Sequence, residues 1–347
     1  MNYFENIISF ESLYKAHRRA RLGKRHKKEV IEFEMELAKN LWEIHYELKY
    51  KRYKVGEYHK FMVYDPKERE IQAISYRDRI VQHSVCDNFL IPLLNNRLIY
   101  DNSACRKGKG THFAIKRLRQ FMTMHFKKCG VKGYFVKVDV SKYFASINHS
   151  LLMDKLAKLD ADQETFNLLR EIIYSYGDET GLPMGNQSSQ CFALFYLDNV
   201  DRYIKEEKRV KYYVRYMDDM ILLVEDKEQA QHLIKEIEGK LNENKLLINK
   251  KSQVVTVKNG IEFLGWRFRF SKSGKIIQTI KHSSGRRMLK KAKKRVYDIR
   301  KRKDKLELIR AYRASYKGHL NSGNSYLFWK KLDNVLLDNN SSMHYIK

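Results

Sequence analysis

The chain has 347 residues, with 69 Lys and Arg against 41 Asp and Glu, a formal net charge of +28 and 43% hydrophobic residues. This apolar content is enough for a substantial core and excludes a wholly disordered chain. A charge excess of this size favours a polyanionic partner, either nucleic acid or an anionic membrane surface.

The membrane is the weaker alternative, because no stretch approaches 18 consecutive apolar residues and the first residues lack the layout of a signal peptide. The four cysteines form no C-x-x-C pair, which argues against a zinc knuckle or a disulfide framework. We therefore expect a cytoplasmic protein with reduced cysteines, no membrane contact and nucleic acid as its partner.

The predicted elements interleave helices with short strands. Before the midpoint they are an N-terminal helical extension over 1–55 with a helix at 27–50, a strand pair within 58–75, helices at 76–94 and 111–128, a strand from Tyr134, and helices at 149–159 and 162–175. After it come a loop at 181–189, a helix at 190–208, two strands around an acidic turn within 211–226, a helix at 227–244, a hairpin turning at Asn259–Gly260 and a basic helical segment at 286–347. This order predicts an α+β protein with a small antiparallel sheet.

Acidic residues flanked by apolar strand residues stand out in so basic a chain. Asp218 and Asp219 occupy the tight turn, and Asp139 ends an apolar strand. Adjacent carboxylates at a partly buried turn repel unless cations offset them, and Mg²⁺ prefers carboxylate and phosphate oxygens. One acid from a strand end and two from a hairpin turn are what a two-metal phosphoryl-transfer site requires. The alternative is that the Asp-Asp dipeptide is only a turn.

Four segments resemble motifs of reverse transcriptases and fall in that family's order. They are the first catalytic motif Val136–Phe144, the template-primer loop Gly181–Gln190, the YxDD motif Tyr216–Asp219 and the primer-grip hairpin Phe263–Trp266. The resemblance implies a right-hand polymerase. Its fingers would lie in 56–133, with 149–190 partly fingers and palm, its palm with a small antiparallel sheet in 134–270, and its basic helical thumb in 271–347.

The resemblance also implies roles for single residues. It makes Asp139, Asp218 and Asp219 catalytic, and it implies two Mg²⁺ ions, or Mn²⁺ as an alternative, held by Asp139, Val140, Asp218 and Asp219. The incoming nucleotide would meet Lys67, Arg69, Phe144 and Gln190, with the Phe144 ring filling the space that a ribose 2′-hydroxyl needs. Lys250 or Lys251 would protonate the leaving pyrophosphate; the sequence does not decide between them, and the alternative is that both are only a surface charge pair.

Template and primer contacts are expected in basic or Gly-rich segments. A basic segment at the start of helix 111–128 favours phosphate, because a helix N-terminus attracts anions. A basic helical thumb would hold duplex phosphates and make binding salt-dependent. The expected contacts are Arg106, Lys107, Lys109, Gly185, Ser189, Phe263, Leu264, Gly265, Lys290, Lys291, Lys293 and Lys294. The alternatives are a basic helix cap at 106–112 and an ordinary Gly/Pro loop at 181–190.

The segment Met184–Gln190 is similar to the [I/V/L]-G-x-x-x-S-Q pattern of diversity-generating retroelement reverse transcriptases, which are related to those of group II introns and retrons. Tyr76–His83, Ala104–His112 and the compact length, without an endonuclease, RNase H or maturase extension, also resemble that group. The resemblance implies a bacterial or phage enzyme that copies a structured template RNA into cDNA from dNTPs, with errors at template adenines that diversify a target gene. It also implies a small, basic, helical accessory variability protein that forms a pentamer.

Other functions fit the same residues. One is a bacterial antiviral-defence reverse transcriptase that makes a defence-related DNA. Another is a polymerase that makes RNA, and a third is a non-catalytic RNA-binding protein that retains the shape of a polymerase.

Overall fold

The computed structural model describes residues 2–64, 68–177 and 179–337. The chain divides into two compact units. The first comprises Met1–Ala114, Val138–Ile221 and His232–Gln253, and the second comprises Ile115–Lys137, Leu222–Gln231 and Val254–Lys347. None of the described helices combines the length and the apolar character needed to cross a membrane.

The N-terminal segment is helical, as predicted. Its helices are α1 (Tyr3–Ile8), α2 (Phe10–Ala20), α3 (Lys28–Met35) and α4 (Leu37–Lys49). The single helix predicted over 27–50 is wrong in one respect, because the chain leaves helical geometry at Glu36, with φ −121° and ψ 39°. The apolar periodicity continues through this break, so the sequence pattern does not predict the break.

The predicted strand pair is confirmed as the antiparallel hairpin β1 (His59–Val63) and β2 (Arg69–Ala73), in which Phe61 pairs with Ile71. A helical run follows without a break through α5 (Tyr76–Val85), a π-turn and α6 (Ile91–Arg97). Ser75 begins α5 by accepting a hydrogen bond from the N–H of Asp78. The next helix, α7, spans Thr111–Cys129.

The central sheet has the strand order β4–β5–β3–β6. Its strands are β3 (Tyr134–Val138), β4 (Tyr212–Tyr216), β5 (Asp219–Val224) and β6 (Gln253–Thr256). The helices between them are α8 (Tyr143–Ser146), α9 (His149–Leu156), α10 (Gln163–Tyr174), α11 (Gln187–Tyr196), α12 (Asp198–Arg202) and α13 (Lys227–Glu243). Residues Tyr212 to Arg215 and Met220 to Val224 are buried, so β4 and β5 lie within the core.

A second sheet, of order β7–β8–β9, consists of β7 (Ile261–Phe263), β8 (Trp266–Phe270) and β9 (Ile276–Ile280). The hairpin predicted to turn at Asn259–Gly260 is therefore wrong, because β6 pairs in the central sheet and β7 turns into β8 at Leu264–Gly265. Strand β9, which the sequence reasoning missed, precedes the predicted basic helices α14 (His282–Ile299), α15 (Lys305–Leu320) and α16 (Tyr326–Leu337).

Candidate active site

The acidic turn lies between the two buried strands β4 and β5. Met217 takes a left-handed conformation with φ +54°, and Asp218 and Asp219 are half-buried. Because the flanking apolar strands are held in the core, the turn presents its two acids at one end of the central sheet. The strand–turn–strand prediction for this segment is confirmed.

The carboxylates of Asp139 and Asp218 lie next to one another in the first unit. Burial, together with the neighbouring carboxylate of Asp139, raises the pKa of Asp218 to about 6 against the opposing charge of Arg215. Two neighbouring carboxylates in a partly desolvated place are unfavourable when both are ionised. The structure therefore brings together one acid from the end of β3 and one from the hairpin turn.

The segment that follows α13 holds the main chain of Asp139 in place. Its carbonyl accepts hydrogen bonds from the N–H of Asn249 (2.7 Å) and from Ser252 Oγ (3.2 Å), and its own N–H donates to Ser252 Oγ (3.0 Å). Val140 is buried and bridges Ile248. Lys250 and Lys251 are exposed in the turn between Asn249 and Ser252, the two residues that bond the main chain of Asp139.

The donor set suits a hard divalent cation. Asp139 and Asp218 offer carboxylate oxygens whose mutual repulsion a bound cation would relieve, and Asp219 follows Asp218 as the first residue of β5. Among the described residues, no group of three or more His, Cys, Asp or Glu side chains is already gathered as a metal site. Asp139 and Asp218 are therefore a pair of adjacent carboxylates whose chemistry fits Mg²⁺ or Mn²⁺.

Phe144 is half-buried on α8, the short helix that follows Asp139. Its ring lies edge-on to that of Tyr143, with 5.8 Å between centroids, and the Tyr143 hydroxyl donates to the carbonyl of Ala193 in α11. The Phe144 carbonyl accepts a hydrogen bond from the N–H of Leu182 (2.8 Å). The candidate sugar gate is thus fixed both to α11 and to the loop that begins at Gly181.

The predicted loop Gly181–Gln190 is shorter than expected, because α11 begins at Gln187. Ser189 is only 2% exposed inside this helix, so its side chain is not available to a nucleic-acid strand at the surface. Gln190 is half-buried one position further along, and Gly185 is exposed with φ +107°. Ser188 donates to Gln82 Oε1 (2.7 Å), and this bond joins α11 to α5.

The hairpin of β1 and β2 carries the basic residues expected near a triphosphate. Arg69 lies in β2 opposite Val63, whereas Lys67 lies outside the described residues. Lys60 is exposed on β1. Arg77, also basic, forms an ion pair with Glu47.

Arg106 and Lys109, which are expected to contact the template, form hydrogen bonds within their own loop and to α6. The Arg106 guanidinium donates to the carbonyls of Asn95 (3.0 Å), Ile99 (2.8 Å) and Asn102 (3.1 Å). Lys109 donates to the carbonyl of Tyr100 and lies over that ring. These bonds close the loop after α6. Lys107 is exposed in the same loop.

In the second unit, the expected primer-grip residues lie at the turn between β7 and β8. Leu264 and Gly265 form this turn, with φ +47° and +86°. Phe263 is 1% exposed, so its side chain belongs to the core, whereas Leu264 and Gly265 are half-exposed. On α14 the expected basic residues Lys290, Lys291, Lys293 and Lys294 are all exposed, whereas Ala292, Val296 and Ile299 are buried.

Arg215 and Asp201 are the residues of the site that sequence reasoning missed. Their side chains form an ion pair of 2.5 Å that is completely buried, and Arg215 contacts the acidic turn. The available signal was an arginine within the apolar strand β4, two residues before the turn. Its partner lies in α12, and nothing in the local pattern indicates that pairing.

Comparisons with known proteins agree with this geometry. The family model described as "Reverse transcriptase (RNA-dependent DNA polymerase)" matches residues 65–268, more than half of the chain. The chain is 25% identical to Protein YkfC of Escherichia coli (strain K12), over 59% of this chain and 65% of that protein. It is 26% identical to a protein attributed to COX1/OXI3 intron 2 in Saccharomyces cerevisiae, over 40% of this chain and 16% of that protein. The chain thus spans less than two thirds of the length of either relative.

Among solved structures, apo telomerase from Candida tropicalis is similar, with a TM-score of 0.53 and 11% identity over 82% of this chain and 57% of that one. At this identity the likeness concerns the fold alone, and it confirms the predicted α+β, right-hand polymerase class. The family match extends through Asp139, the acidic turn and the β7–β8 turn. The chain therefore belongs to the reverse transcriptase (RNA-dependent DNA polymerase) family.

Proposed function

We propose that this protein is an RNA-directed DNA polymerase that extends a primer along an RNA template by a two-metal mechanism, with Asp139, Asp218 and Asp219 as its catalytic acids. The observation that carries this proposal is the adjacency of the Asp139 and Asp218 carboxylates beside the acidic turn. Bound Mg²⁺ ions would activate the primer 3′-hydroxyl and neutralise the leaving pyrophosphate.

The surrounding residues are proposed to bind the nucleotide, the template and the primer. Phe144 lies on the helix after Asp139, where a ring would exclude a 2′-hydroxyl and favour dNTPs. Gln190, Lys67 and Arg69 belong to the proposed nucleotide site. Exposed cations bind phosphates, so the lysines of α14 and Lys107 are proposed contacts for template or primer. The loop at Gly185 and the turn at Leu264–Gly265 are further proposed contacts.

Primer extension tests the proposal directly. Purified protein is given a primed RNA template, the four dNTPs and Mg²⁺, and product length is measured by gel electrophoresis. We expect template-dependent DNA from wild type and from Asp160→Asn, a control at an exposed acid, and none from Asp218→Asn. Template binding without any product from wild type would instead support a non-catalytic RNA-binding protein.

A narrower proposal concerns the biological role. The similarity of Met184–Gln190 to retroelement reverse transcriptases supports a diversity-generating role in the bacterial cytoplasm, with a small basic accessory protein as partner. Sequencing of cDNA made with the cognate RNA and accessory protein tests it. Substitutions concentrated at template adenines are expected, and faithful copying of adenine would leave the antiviral-defence role as the better explanation.

A further inference from the structure

Arg215 and Asp201 form a buried, hydrogen-bonded ion pair inside the first unit. Arg215 donates from Nε to Asp201 Oδ1 (2.7 Å) and from Nη2 to Asp201 Oδ2 (2.5 Å), and both side chains are 0% exposed. Asp201 also accepts from the hydroxyl of Tyr213 (2.6 Å) and from the amide of Asn102 (3.3 Å). This paired, hydrogen-bonded arrangement is the kind in which a buried charge is tolerated.

The same guanidinium reaches the acidic turn. Nη1 of Arg215 donates to the carbonyl of Met217 (2.9 Å), and Nη2 also donates to the carbonyl of Leu194 (3.0 Å) in α11. The Met217 carbonyl belongs to the peptide group that joins Met217 to Asp218. A bond to this carbonyl therefore fixes the main chain from which the Asp218 side chain extends.

The turn needs such support. Met217 has φ +54°, a left-handed conformation that costs a residue with a side chain about 1–2 kcal/mol. Strain of this kind persists where the surrounding structure enforces it. A rigid donor aimed at the Met217 carbonyl supplies that enforcement, and Asp201 holds the donor in a fork that leaves it little freedom.

Stability alone is a poor explanation for this pair. A buried ion pair commonly contributes no more than well-packed apolar residues of the same volume, because both charges must be desolvated. The main chain of Arg215 is already anchored without its side chain, since its N–H donates to Asp101 (3.1 Å) and its carbonyl accepts from Ser103 (2.9 Å). The side chain therefore adds something other than the attachment of β4.

We infer that Arg215, held by Asp201, is a positioning residue that fixes the Met217–Asp218 peptide and so aims the Asp218 carboxylate toward Asp139. This inference rests on the proposed polymerase function. It predicts that Arg215 acts on the chemical step and on metal affinity, rather than on nucleotide affinity.

The test compares Arg215→Met, Arg215→Lys, Asp201→Asn and the double variant Arg215→Met with Asp201→Asn. The matched control is Arg202→Met, which removes an arginine from the partly buried pair with Asp198 (3.1 Å) and leaves the turn contact intact. Three quantities are measured for each protein. They are the thermal unfolding midpoint, kcat and KM for dNTP on a primed RNA, and Mn²⁺ affinity by electron paramagnetic resonance without nucleotide.

For Arg215→Met we expect kcat, per folded molecule, to fall at least about 10-fold while KM for dNTP stays within about threefold, the pattern of a lost transition-state contribution. Mn²⁺ affinity should weaken by at least about threefold. Arg215→Lys should be intermediate, since a lysine keeps the charge and lacks the fork. The double variant should be no worse than Arg215→Met, because both residues act through one network.

The inference is overturned if Arg215→Met keeps wild-type kcat and Mn²⁺ affinity, or if Arg202→Met loses as much of both. If Arg215→Met does not fold, Arg215→Lys and Asp201→Asn decide the question by the same criteria. If the wild-type protein does not polymerise at all, the proposed function is overturned instead. The Mn²⁺ affinities of the variants would then still test whether Arg215 positions Asp218.

Discussion

The main-chain N–H of Leu182 donates a 2.8 Å hydrogen bond to the carbonyl of Phe144. A second main-chain bond of the same length joins Gly181 to Ile147. Main-chain bonds therefore join the loop that begins at Gly181 to the helix that carries the candidate sugar gate. Because these bonds do not involve the Phe144 side chain, replacing that side chain should leave the path of the loop unchanged.

Phe144→Ala should admit ribonucleotides. Removing the ring opens the space for a 2′-hydroxyl, so the ratio of kcat/KM for dNTP to that for the matching rNTP should fall about 10–100-fold. Steady-state single-nucleotide incorporation measures this ratio. Phe144→Tyr keeps the ring and serves as the control, and an unchanged ratio in Phe144→Ala would show that another residue excludes ribonucleotides.

Asp218→Asn should stabilise the metal-free protein and abolish its response to metal. Neutralising Asp218 removes a charge that burial and Asp139 both disfavour, so the unfolding midpoint in chelator should rise by about 2–4 °C. Mg²⁺ should raise the midpoint of wild type and of Asp160→Asn, but not that of Asp218→Asn. Differential scanning calorimetry provides the measurement, and an equal response in all three proteins would place the cation elsewhere.

Replacing both Lys290 and Lys294 by Ala should reduce the salt dependence of template-primer binding. Both are exposed on α14, and each phosphate contact contributes about 0.9 to the slope of log K against log salt. The slope should therefore fall by about 2. Fluorescence anisotropy at several salt concentrations measures it, with Lys39→Ala on α4 as a control that should leave the slope as it is.

Gly260→Ala should destabilise the protein far more than Gly108→Ala, although both glycines have φ +73°. A Cβ at Gly260 would lie 2.2 Å from the carbonyl oxygen of Phe268, whereas a Cβ at Gly108 meets nothing within 4 Å. Gly108→Ala should cost about 1 kcal/mol from backbone strain, and Gly260→Ala about 1–3 kcal/mol more. Urea unfolding measures both, and equal costs would contradict the packing argument.

Lys155 should make stability rise with pH in the alkaline range. Burial lowers the pKa of Lys155 from 10.5 to about 8, against the opposing charge of Asp198, while Nζ donates to Asn199 (2.7 Å). Between about pH 8 and 10.5 the unfolded chain binds more protons than the folded one, so the free energy of unfolding rises with pH. Wild type should therefore gain stability relative to Lys155→Met as the pH rises from 8 to 10. Relative to Lys158→Met, which lacks an exposed lysine, wild type should show no such gain.

The sequence predicts an element well where local pattern and long-range structure agree. The turn at Asp218 can be predicted from the sequence because apolar segments flank two acids and form strands that pair with each other. The turn at Asn259–Gly260 has stronger local chemistry, yet β6 joins the central sheet and the chain turns at Leu264–Gly265 instead. A pairing partner distant in the chain outweighs turn propensity there, and no local window contains that information.

The same limit applies to single side chains. Arg106 has the surroundings of a phosphate ligand, but the carbonyls of the loop after α6 occupy its guanidinium. Arg215 looks like an ordinary strand residue, and its partner Asp201 lies in a helix. Residue type and neighbours indicate what a side chain is able to do, while the fold decides which group it meets.

The hydrogen bonds that hold Asp139 determine which substitutions the neighbouring segment can tolerate. Asn249 holds the Asp139 carbonyl through its own N–H, and Ser141 donates its N–H to the carbonyl of Leu247 (2.8 Å). Main-chain groups are common to every residue except proline at the donor position. These two bonds therefore do not depend on which side chains the stretch carries, so Leu247–Lys251 is a natural target for libraries that seek altered pyrophosphate release while Asp139 stays in place.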